Sequence, residues 1–171
     1  MERTQESIDS LENSNTKLPI YGGLLAGLAG SLSIMLVVLG ILVFSQNDIF
    51  TAARMIATVV YGPEVETGVT PIIVGTLIHL LTGGIFGAVF AWIMPRLPRG
   101  IWVVAGLIYG EAVWLISTFI LLPIVAPLIT TADANFNVLL IGHVIYGLVL
   151  GIAGGTYGLL WHLPERLQSQ E

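Results

Sequence analysis

Four apolar runs, residues 18–44, 72–94, 101–122 and 138–161, take up most of this chain of 171 residues. Each reaches the length of about 20 residues that a helix needs to cross the hydrocarbon core of a bilayer. In lipid every backbone N–H and C=O must find its partner inside its own segment, so runs of this kind are helices rather than strands. The expected fold is an all-α, integral membrane four-helix bundle. Composition agrees, with 55% hydrophobic and 10% charged residues and a mean hydropathy of +0.89. An ordinary soluble domain carries about 25% charged residues. Four spans leave room for one bundle and no separate soluble catalytic domain, so the chain is expected not to be an enzyme. It has no cysteine, which excludes disulfides, Cys-ligated zinc and thiolate-held clusters.

Residues 1–17 are polar, with Glu2, Glu6, Asp9 and Glu12 against Arg3 and Lys17. This stretch lacks apolar periodicity and is expected to be a disordered cytoplasmic tail. It also lacks the basic n-region of a secretory signal, so the first run is expected to stay as an anchor. Residues 162–171 form a second polar tail. The six basic residues set the orientation. Arg3, Lys17, Arg96, Arg99 and Arg166 share one side and Arg54 alone lies on the other. Basic loops favour the cytoplasmic face, which puts both termini inside. Tyr21, Trp92, Trp102 and Trp161 all fall near the cytoplasmic ends of their spans and form one aromatic belt. The step Arg96-Leu97-Pro98-Arg99-Gly100 is short enough only for a turn between antiparallel helices.

The outer connections are longer. After Asn47 or Asp48 as a cap, Ile49, Ala52, Ala53, Ile56, Val59 and Val60 recur at helical spacing. Residues 48–61 are therefore expected to be an amphipathic helix lying on the outer membrane surface. Tyr61-Gly62-Pro63 should end it, and Glu64-Val65-Glu66-Thr67-Gly68 should be a solvated turn. Residues 123–131 hold Pro123 and Pro127 and form a shallower counterpart after the third span.

A pattern repeats. His79-x3-Gly83-x3-Gly87 in the second span matches His143-x3-Gly147-x3-Gly151 in the fourth, and Ala26-Gly27-Leu28 in the first matches Ala105-Gly106-Leu107 in the third. This suggests two related helix pairs, a parallel 2+2 repeat about an axis along the membrane normal. The glycines Gly83, Gly87, Gly147 and Gly151 read as ridges that let helix backbones approach closely, with Gly75 and Ala91 extending the first and Gly155 the second, while Gly23 and Gly27 begin another.

Three ionisable residues lie inside the spans: His79, His143 and Glu111. Such residues are costly in a membrane, and function is the default hypothesis for them. Glu111 is about 15 Å deep, and the histidines are expected about 5–8 Å nearer the outer surface. Three readings stand open. His79 and His143 could ligate one haem b iron from facing helices, with glycines giving the porphyrin edge room. Glu111 and a histidine could form a proton relay or a substrate site of a small proton-coupled transporter or channel-like protein. Or His79, His143, Thr76, Thr82, Tyr146 and Glu111 could simply hydrogen-bond between helices. Ser31, Ser33 and Ser117 are expected to bond to the carbonyl four residues back, and His162 to sit at the interface. No HExxH, His-x-x-Glu or paired-carboxylate pattern marks a hydrolytic metal site. No basic footprint marks nucleic acid.

The glycine-rich first span, the amphipathic segment ending in Tyr61-Gly62 and the His79-x3-Gly83-x3-Gly87 span resemble small bacterial four-span membrane proteins of unknown function. The resemblance runs from about Tyr21 to Trp161, implies the same layout in a prokaryotic cytoplasmic (inner) membrane, and brings no activity with it. The role expected from the residues is an accessory or scaffolding subunit, packed in lipid against other membrane subunits or its own copies.

Overall fold

The computed structural model describes residues 2–44, 48–62, 68–93, 99–125 and 136–161, and side chains at 20–44, 48–62, 68–93, 100–124 and 137–154. Among them the chain is helical: α1 Glu2–Phe44, α2 Thr51–Tyr61, α3 Val69–Ile93, α4 Trp102–Ile116, α5 Leu122–Val125 and α6 Phe136–Trp161. A 3-10 turn at Arg99–Ile101 leads into α4, and a π-helical stretch at Ser117–Leu121 joins α4 to α5 in one rod. Four helices are long and apolar enough to cross a membrane, over Ile20–Phe44, Val69–Ile93, Trp102–Ile124 and Asn137–Gly154. This is the four-helix bundle of a multi-pass membrane protein.

α1 continues back to Glu2, where composition favours an unstructured tail over 1–17. The physical reason is propagation. Extending an existing helix needs no new nucleus, Glu, Gln, Leu and Lys are good helix formers, and acidic Glu2 and Glu6 suit the positive end of the helix dipole. The π-helical stretch has an equally local cause. Pro123 has no N–H for the carbonyl of Phe119, and its ring needs room from that carbonyl. The wider turn gives it room, with Leu122 N–H bonding to Ser117 O five residues back.

The bundle is two tight pairs. α1 packs along α3, and α4 along α6; α1 also runs against α6, whereas α3 meets α4 and α6 only lightly. Both tight seams are glycine against glycine. A Cβ built on Gly87 would stand 2.6 Å from Gly27 Cα, and one built on Gly106 would stand 2.7 Å from Gly151 Cα. Real side-chain carbons do not come so close. Direct backbone approach supplies the van der Waals contact that drives association in lipid. The repeat read in the sequence is thus a repeat of contacts. Gly27 faces Gly83 O and Gly87 Cα, and Gly106 faces Gly147 O and Gly151 Cα. Between the pairs lies a core of Ala26, Ile34, Phe90, Trp102, Tyr146 and Leu150, flanked by Phe86 and Tyr109.

α2 is the helix expected over 48–61, begun at Thr51 and docked on α3. It packs backbone to backbone on α3, where Gly75 faces Ala53 O and Ala57 N, and Ala57 is fully buried. The small residues Ala53 and Ala57 make this contact, and larger Val59 and Val60 are exposed. Asp48 accepts a hydrogen bond from Phe50 N–H (3.0 Å) and pairs with Arg54, whose guanidinium also lies 5.9 Å from the Phe50 ring centre. α2 ends at Gly62, whose φ of 75° suits glycine and whose N–H bonds to Thr58 O (2.8 Å). Tyr21 and Trp92 are exposed at one end of the bundle as an aromatic belt requires. Trp102 is instead buried, because it enters the core between the pairs. Asn47, the turns at 63–67 and 94–98, segment 126–131, the C-terminal tail, His162 and the side chains of Trp161 and residues 1–19 lie outside the described residues, as do the surroundings of Gly155.

Candidate functional site

His79 and His143 occupy equivalent places on α3 and α6, four residues before the glycines of the two seams. They stand at one level of the bundle, since Tyr146, three residues after His143, bonds to Gly83 O, four residues after His79. Their ring nitrogens do different things. His79 Nε2 lies 3.2 Å from Ser31 O on α1, so it joins two helices. His143 Nδ1 lies 2.8 Å from Leu139 O, one turn back on its own helix. A carbonyl only accepts, so each of these nitrogens carries the hydrogen. As neutral imidazoles the two rings are therefore opposite tautomers, with Nδ1 of His79 and Nε2 of His143 holding the lone pairs.

Two tyrosines complete the interior. Tyr146 hydroxyl donates to Gly83 O at 2.5 Å, and Tyr109 hydroxyl donates to Phe86 O at 2.7 Å. Both reach from the second pair onto carbonyls of α3. The Tyr146 ring lies over Gly30, whose missing side chain makes the space, and a Cβ there would stand 2.6 Å from the ring. Tyr109 also packs at a tilt against Phe90, with ring centres 5.1 Å apart and planes at 47°. Of the polar groups expected to bond between helices, His79 and Tyr146 do so. Ser33 bonds back to Ala29 O at 2.9 Å. Ser31 is buried against Gly83, and its carbonyl serves His79. Thr82 is exposed.

A porphyrin between these helices would need open glycine faces and a free Nε2 on each ring, the usual ligating geometry of a helical histidine. The Ser31 side chain fills the face of Gly83, and neighbouring backbone fills those of Gly87, Gly147 and Gly151. Tyr146 fills the space over Gly30, and Nε2 of His79 is turned to Ser31. The residues present do not fit that group. Among the described residues there is no cluster of three or more His, Asp or Glu that could hold a metal ion.

Glu111 is not part of this interior. Gly110, just before it, lies against the backbone of His143 and Gly147, so Glu111 shares the level of His143. The expected offset of about 5–8 Å is absent; α3 and α6 begin three and two residues before their apolar runs, at Val69 and Phe136, which accounts for about 3–4.5 Å of it. The faces differ, however. At 100° per residue, Glu111 points about 200° round the helix from Tyr109, whose hydroxyl reaches α3. Glu111 lies instead in line with Val104, Ile108 and Leu115, which are 55%, 66% and 49% exposed. Its Oε1 is buried by its own surroundings without a hydrogen-bond partner, as is Nε1 of Trp114 one turn on. The structure brings His79 and His143 together and sets Glu111 apart from them.

Tyr109, Gly110 and the α4 side of the second seam were legible as Gly106-x3-Gly110 beside a tyrosine in an apolar run. Their roles rest on contacts that spacing alone does not reveal. No curated protein and no solved structure shows a significant match to the chain. Residues 19–165 match the family described as a family of unknown function, DUF6789, and the chain belongs to that family.

Proposed function

We propose that this protein is a non-catalytic accessory or scaffolding subunit of a larger membrane assembly. One observation carries this reading: the polar groups inside the bundle bond to backbone carbonyls. His79 goes to Ser31, His143 to Leu139, Tyr109 to Phe86 and Tyr146 to Gly83. Groups used in this way hold helices in register. The glycine seams close the remaining interior, so the surfaces free to act are the outward ones. The basic residues, five against one, support an orientation with both termini on the cytoplasmic side.

The test is extraction of the full chain from its native membrane in a mild detergent, followed by native electrophoresis and mass spectrometry. The expected result is migration with a fixed set of other membrane subunits. A chain that runs as a solitary homo-oligomer contradicts the proposal.

A further inference from the structure

The outward flank of α4 is the place where such an assembly would be recognised, and the inference rests on the accessory-subunit reading. Val104, Ile108, Glu111 and Leu115 follow one another at i, i+4, i+7 and i+11, a single stripe along the helix. The three apolar members are exposed. The repeat supplies an internal control. Aligned on Gly27 and Gly106, the equivalent stripe of α1 is Leu25, Ala29, Leu32 and Leu36, exposed and wholly apolar. Bundle packing therefore does not require a carboxyl at this place.

Glu111 finds no counter-charge among the described residues. Among the described residues the ion pair is Arg54 with Asp48, at the far end of the bundle. The histidines lie in the interior with their N–H groups bound to carbonyls. Lipid tails donate nothing. A second copy does not solve the problem. All six Lys and Arg lie outside the four apolar runs, and His79 and His143 are bonded to carbonyls in the interior, so a second copy presents no cation at this depth.

We propose that the Val104–Ile108–Glu111–Leu115 stripe seats a transmembrane helix of another protein that presents an arginine, lysine or histidine to Glu111. The small Ala29 and the leucines of the α1 stripe face lipid.

The experiment places a photo-reactive p-benzoylphenylalanine at Leu115, or at its repeat equivalent Leu36, in the full chain in native membranes. The probe at Leu115 is expected to link to one protein species, through an apolar peptide that contains a basic residue. Glu111→Leu should cut that yield by about tenfold or more, as loss of one member of a buried charge pair does; Glu111→Gln, which keeps the shape, should also reduce it. The probe at Leu36 should give lipid adducts. Lipid adducts alone at Leu115, links to a second copy, or a yield indifferent to both Glu111 variants overturns the proposal. If native electrophoresis still shows the larger assembly, only the docking surface is wrong. If the chain runs alone, the accessory reading falls with it.

Discussion

The α1–α3 pair and the α4–α6 pair are built on the same seam and differ in what stands beside it. Gly27 meets Gly83 and Gly87 just as Gly106 meets Gly147 and Gly151. Beside that seam, Gly30 of the first pair answers to Tyr109 of the second, Thr82 to Tyr146, and Leu32 to Glu111. The first pair thus contributes space and backbone carbonyls. The second contributes the tyrosines that fill the space over Gly30 and bond to Gly83 and Phe86. A repeated frame fixes the helix positions, and its divergent residues decide which pair receives and which reaches. Outside, the same divergence leaves one flank plain and gives the other a carboxyl.

The largest expected effect tests whether the two seams are equivalent. Gly27→Ile and Gly106→Ile should each destabilise the bundle by about 3 kcal/mol or more, since the new side chain meets backbone that cannot move aside. Titration with SDS from mixed micelles would measure both. Gly40→Ala, which has nothing within 4 Å, should change little. A large loss in one seam and none in the other would break the comparison.

Next in size is the exchange of the outward residues. Leu32→Glu should make insertion of α1 less favourable by about 2.5–3.5 kcal/mol, the insertion-scale cost of a charged side chain at a helix centre. Glu111→Leu should ease insertion of α4 by a similar amount. A translocon insertion assay on each span would read both. If Leu32→Glu costs nothing, the two flanks do not share a depth.

Smaller effects are expected for the bonds between pairs. Tyr146→Phe and Tyr109→Phe should each cost about 0.6 kcal/mol, the typical worth of an interhelical hydrogen bond in a membrane protein. The same SDS titration would detect them, and additive losses would show that the two tyrosines act independently.

The smallest effect lies at α2. The backbone N–H of Phe50, helped by Arg54, holds the Asp48 carboxyl below its ordinary 3.8. A lowered folded-state pKa means that its contribution is complete above that value and is lost as pH falls through the lowered one. Protection of the Phe50 amide, its exchange relative to an unstructured amide at the same pH, should therefore fall under acid and stay constant under mild base. Asp48→Asn should flatten that dependence.

Much of this frame was readable from the residues. Unbroken apolar runs have one solution in lipid, so the four spans followed from length. The His-x3-Gly-x3-Gly pattern pointed to a repeat because glycine at i+4 spacing has a backbone meaning. What spacing does not carry is helix rotation, which neighbouring packing sets. His79 and His143 look identical in the sequence, yet one bonds across to α1 and the other to its own helix. Glu111 looked like a companion of the histidines, and a face about 200° from Tyr109 removes it from them. α2 was readable as an amphipathic helix, and its docking on α3 was not, because small Ala53 and Ala57 make that contact backbone to backbone.

Nitrogen NMR of the two histidine rings tests most directly the claim that equivalent positions of the repeat hold the bundle in different ways. With His79→Gln and His143→Gln used for assignment, the account predicts Nε2–H on His79 and Nδ1–H on His143. Two rings of the same tautomer, or a ring whose hydrogen-bearing nitrogen is the opposite one, would contradict it.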